Sequence, residues 1–104
     1  MMFRLLNHRI SQLQRNLQPD ILEYWHTQII HDAKDMAPPW LQDKISVKQD
    51  PYLPMKFNLN ISKRAISYYM MALNQNLPQM PLSTQLYFLK VTECLNDEID
   101  QQLV

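Results

Sequence analysis

Apolar residues recur along this chain with a period that changes from one segment to the next. In the first segment Phe3, Leu6, Ile10, Leu13 and Leu17 follow one another at spacings of three and four, with Met2 and Leu5 beside them. That seam predicts a helix over residues 2–17. Its opposite face carries Arg4, His8, Ser11 and Arg15. A seam this short does not stand alone as a coiled coil, so it must pack on its own bundle or on a second chain.

Pro19 suits the first position of a second helix, and Asp20 and Glu23 oppose the positive end of its dipole. Leu22, Trp25, Ile29, Ala33 and Met36 mark one face of that helix, which the Ala37-Pro38 step ends near residue 37. Pro38 and Pro39 are placed to open a short helical turn holding Trp40 and Leu41. The period then becomes two. Ile45 and Val47 alternate with polar neighbours, and Met55, Phe57, Leu59 and Ile61 alternate with Lys56, Asn58 and Asn60. This reads as a half-buried strand. Its partner is the 45–47 run in a hairpin, the same segment of a second subunit, or an edge strand of another protein. The alternative is extended chain laid across helices.

Ser62 is placed to cap a helix over residues 61–76, with Ile66, Tyr69, Leu73 and Leu77 on its buried face. Asn74 and Asn76 precede Pro78 and are candidates for the left-handed conformation that ends a helix. A last helix over residues 82–102 shows a stripe of Phe88, Val91, Leu95 and Ile99, with Leu82 and Leu103 at its ends. The pattern predicts a mainly α, four-helix, bundle-like single domain over residues 1–104. A proline-rich central connection carries up to two short strands. Trp25, Ile29, Leu73, Phe88, Leu95 and Ile99 sit at the centres of their stripes and are the expected core.

Composition narrows the chemistry. The chain has no glycine, where average usage near ~7% would give roughly seven in this length. Without glycine the phosphate-cradling Walker loop, the dinucleotide-binding turn and the G-x-S-x-G nucleophile elbow are excluded in their usual form. Hydrophobic residues at 46% and charged residues at 19% mark a folded globule. The single cysteine, Cys94, leaves no internal disulfide and no thiolate metal site, which fits a reducing compartment. The apolar runs fall short of a membrane span, and the first segment lacks the continuous apolar block of a secretory signal. A cytoplasmic location is expected.

Ten basic and ten acidic residues give a net charge of zero. A neutral total removes the usual electrostatic argument for nucleic acid and leaves little to keep molecules apart. The charges are nevertheless blocked. Residues 1–19 hold only the cations Arg4, Arg9 and Arg15, residues 20–43 are mostly acidic, residues 44–92 mostly basic, and the last twelve hold four acids. Oppositely charged elements packed side by side account for this, as does a basic first helix or acidic tail that docks another molecule.

Catalytic constellations are sparse. Glu23 and His26 have the i, i+3 spacing of di-iron carboxylate helices, but the chain holds one such motif where two are needed. Both are expected at the surface. All three histidines lie before residue 32, and nothing in the sequence brings one to Cys94, which reads as small core filler. Lys63 and Arg64 precede Tyr68 and Tyr69, where exposed tyrosines would stack bases, although Tyr69 falls on the buried face. Seven methionines, among them Met70, Met71 and Met80, suit an adaptable interface or plain core filling.

The expected function is therefore a small non-catalytic protein–protein interaction protein, acting as an adaptor, inhibitor or accessory subunit. It is expected to bind a protein partner or form a homodimer, without a cofactor. The contact residues expected are Met55, Phe57 and Leu59 of the strand, Phe3, Leu6, Ile10 and Leu13 of the first seam, and Met70, Met71 and Met80. A nucleic-acid- or ribosome-associated factor using Arg4, Arg9, Arg15, Lys63 and Arg64 is the alternative. A metal-assisted enzyme with Glu23 and His26 across a dimer is the second.

Overall fold

The computed structural model describes residues 17–49, 51–52 and 57–103, with side chains described as far as residue 97. The expected helix over residues 2–17, with Phe3, Leu6, Ile10 and Leu13, lies outside this set apart from its last residue, and so does Met55. Three α-helices and one two-stranded antiparallel sheet appear among the described residues: α1 (Pro19–Met36), β1 (Ile45–Gln49), β2 (Phe57–Ile61), α2 (Ile66–Asn76) and α3 (Leu82–Leu103). Short 3₁₀ turns at Pro39–Lys44, Lys63–Ala65 and Leu77–Gln79 connect them. Mainly helical architecture is thus observed. A two-stranded sheet accompanies the helices, within the one or two short strands expected.

Proline supplies the punctuation that glycine would otherwise supply. Pro19 occupies the first turn of α1, where its missing N–H costs nothing. At the other end Ala37 is extended, φ −80° and ψ 149°, the conformation that a following proline imposes. Its N–H still closes the helix on the Ala33 and Lys34 carbonyls, at 3.0 and 3.2 Å. Every described residue has negative φ, so the left-handed ending expected at Asn74 or Asn76 does not occur. Asn76 instead has φ −89° and is buried, with its amide donating to the Ala72 carbonyl at 2.8 Å and to Asp32 Oδ2 at 2.9 Å. It ties α2 to α1.

The period-two segment forms the hairpin, in register Ile45↔Ile61, Val47↔Leu59 and Gln49↔Phe57. Phe57, Leu59 and Ile61 are buried on one face while Asn60 is exposed, as a strand with one covered face requires. Burial of Ile61 keeps the chain in the sheet one step longer than the expected helix over 61–76 allows. Ser62 is extended and makes no side-chain cap bond, and regular helix begins at Ile66. Leu22, Ile29, Ile30 and Ala33 of α1, the hairpin's inner face, Tyr69, Ala72 and Leu73 of α2, and Tyr87, Phe88, Val91, Cys94 and Leu95 of α3 form one core. Leu17 and Trp25 pack partly buried against it. Ile29, Leu73, Phe88 and Leu95 thus meet expectation, Trp25 is only half-buried, and the side chain of Ile99 is outside those described.

Candidate functional site

The buried stripe of α1 is Leu22, His26, Ile29, Ile30 and Ala33, rotated by one position from a stripe centred on Trp25. His26 is therefore a core residue, 1% exposed, and not the surface residue expected. Its ring stacks on Phe57 of β2 at 4.8 Å and meets the edges or faces of Tyr87 and Phe88 of α3 at 5.6 and 4.9 Å. Nε2 shares a 2.8 Å hydrogen bond with the Tyr87 hydroxyl. Nδ1 has no hydrogen-bond partner among the described residues. Burial lowers its pKa from 6.5 to about 3, because a dry aromatic site disfavours the imidazolium. A neutral imidazole in this cage holds α1, β2 and α3 together. Glu23 is exposed, so the two residues of the expected metal motif have opposite surroundings.

The Tyr69 hydroxyl is also enclosed and lacks a hydrogen-bond partner among the described residues. Burial, with Tyr87 as a smaller contributor, pushes its pKa well above the ordinary tyrosine value. Cys94 is buried in the core, as core filler should be. A second group of possible ligands lies on the same helix. His31, Asp32 and Asp35 bring ligand atoms within 4.8 Å of one another on the outer side of α1. His31 Nδ1 lies 3.5 Å from Asp32 and 3.6 Å from Asp35, so these are ordinary neighbours on a helix surface. The Asn76 amide, ahead of the histidine and Gln28, holds the Asp32 carboxyl below its usual pKa.

The expected contact residues divide. Phe57, Leu59 and Met80 are 3%, 1% and 5% exposed and are spent on this chain's own core. Met70 is half-buried, and Met71 is exposed. Among the cations of the alternative reading, Arg4, Arg9 and Arg15 lie outside the described residues, while Lys63 and Arg64 are exposed.

Helix α3 carries a second apolar stripe besides the buried one. Leu82, Leu86 and Leu89 are 71%, 60% and 50% exposed, and their spacing of four and three puts them on one face. The other face is the buried run of Tyr87, Phe88, Val91, Cys94 and Leu95. A helix apolar on both sides is normally covered on both. Lys90 and Glu93, paired at 3.1 Å, form a charged margin to the leucines.

The open end of the hairpin gathers a polar group. Ser62 N–H donates to the Lys44 carbonyl at 3.0 Å, and a hollow of about 280 Å³ lies there between Asp43, Lys44, Ser46, Asn60 and Ser62. On the turn Pro39–Lys44, Trp40 is 60% exposed, with the Arg64 guanidinium carbon 5.9 Å from its ring centre. Among the described residues no helix is long and apolar enough to cross a membrane. No protein-family model matches the chain, and comparison with curated proteins and with solved structures finds no match.

Proposed function

We propose that this chain is a small non-catalytic interaction protein whose contact surface is the leucine face of α3. The observation that carries the reading is the solvent-exposed series Leu82, Leu86 and Leu89 on a helix whose other face already fills the core. Three leucines in line form the kind of ridge that a second amphipathic helix receives between its own side chains. The favoured occupant is a second copy of the chain, since a net charge of zero offers no long-range repulsion between copies. Phe57, Leu59 and Met80 drop out of the proposed surface because they are buried, and Met71 remains a candidate at its margin.

Sedimentation analysis of the wild type and of Leu86→Glu tests this. Association of the wild type that is lost in Leu86→Glu, with an unchanged circular dichroism spectrum, supports the reading. A wild type that stays monomeric at every concentration overturns the homodimer. Turnover of a small substrate by the isolated chain overturns the non-catalytic assignment.

A further inference from the structure

The chain enters β1 from the turn Pro39–Lys44 and leaves β2 into the turn Lys63–Ala65. Pairing of Ile45 with Ile61 therefore brings residues 40–44 and 62–64 to the same end of the hairpin. Three cations, Lys44, Lys63 and Arg64, meet there against one acid, Asp43, and all four are exposed. The neutral total charge conceals this local excess.

Two features make the group more than a solvated edge. All five residues lining the hollow are polar, and one of them, Ser62, holds a buried hydroxyl with no hydrogen-bond partner among the described residues. Buried hydroxyls are ordinarily bonded, and this one meets a ligand only when its side chain turns toward the hollow. Trp40, on the turn that leads into β1, leaves most of its ring in water, although tryptophan is normally among the well-covered residues. The Arg64 guanidinium beside it adds a second planar group on which a flat ligand can stack.

We propose that this end of the hairpin binds single-stranded RNA, with a ribose in the polar hollow, flanking phosphates at Lys44 and Lys63, and a neighbouring base stacked on Trp40. The hollow is too polar for an apolar ligand, and its one cation, one acid and three neutral polar side chains suit an uncharged sugar. A duplex keeps its bases inside and offers Trp40 nothing. Asp43, which lines the hollow, repels a phosphate there but accepts a hydrogen bond from a sugar hydroxyl, which favours RNA over DNA. None of these residues belongs to the leucine face, so either surface can fail without the other.

Fluorescence polarisation of a 5′-labelled oligouridylate decamer, titrated with the full chain at low salt, is the test. The expected result is saturable binding that weakens about tenfold in Trp40→Ala, the effect of losing one stacked base. Binding should also weaken severalfold in Lys44→Gln and in Lys63→Gln, both at exposed positions whose loss leaves the core intact. Weaker binding of the matching deoxyribose oligomer agrees with the role of Asp43. The proposal is overturned when the wild type does not bind, or when all three variants bind as the wild type does. It is equally overturned when vesicles of phosphatidylserine or a phosphorylated peptide bind and the oligonucleotide does not.

Discussion

His26 spends its nitrogens unequally. Tyr87 takes Nε2, while Nδ1 faces no partner among the described residues. One unsatisfied ring nitrogen costs on the order of 1–3 kcal/mol, and three aromatic neighbours, Phe57, Tyr87 and Phe88, return packing energy. The balance holds only while the ring is neutral. Since folding lowers its pKa from 6.5 to about 3, the unfolded chain binds a proton first as the pH falls. Stability is therefore full above about pH 6.5, declines between there and about pH 3, and stops responding to this group below that. At 1.36 kcal/mol per pH unit the decline is up to about 5 kcal/mol. Asp32, held below its usual pKa by Asn76, adds stability that is lost further down, as the pH falls through its own depressed pKa. Urea unfolding at a series of pH values checks this. His26→Leu should abolish the slope between pH 6.5 and 4, and an unchanged slope in that variant would show that another group carries it.

At the scale of the element, α3 separates two kinds of leucine. Leu95 is fully buried and Leu86 is 60% exposed. Leu95→Ala should cost about 2–5 kcal/mol, the usual penalty for a core cavity. Leu86→Ala should change the stability of the dilute protein by no more than about 0.5 kcal/mol. Chemical denaturation of both variants at low concentration gives the comparison, and equal losses would mean that the leucine face is covered within one chain. The buried stripe of α3 was legible in the sequence because Phe88, Val91 and Leu95 keep helical spacing. The hairpin strand was legible because Phe57, Leu59 and Ile61 keep a period of two. The exposed leucines have equally regular spacing, yet spacing does not tell which of two apolar stripes a core will take. His26 was misplaced for a related reason. It stands beside Trp25, and hydrophobicity favoured the tryptophan, whereas the helix turns the imidazole inward. The grouping of Trp40, Lys44, Ser62 and Arg64 depends on strand register, which the sequence left open between this hairpin and pairing with another chain.

On the scale of the whole molecule the two proposed surfaces differ in physical character, so one variable can separate them. The open end of the hairpin works through Lys44, Lys63 and Arg64, and binding there releases counterions from the nucleic acid. For single strands the logarithm of affinity falls with the logarithm of salt at a slope of about 0.7 per phosphate neutralised. Three cations set a limit near a slope of two, or roughly a 20-fold loss between about 50 and 200 mM salt. The leucine face has no such term. Burying Leu82, Leu86 and Leu89 removes apolar surface from water, and salt of the excluded kind strengthens that burial. Raising sodium chloride should therefore weaken oligouridylate binding steeply and leave association through Leu86 nearly constant, while sodium sulfate should strengthen the latter. Polarisation and sedimentation run on the same samples give both curves. Parallel salt dependence of the two would mean that a single charged surface serves both contacts, and the division between an apolar helix face and a cationic hairpin end would fall.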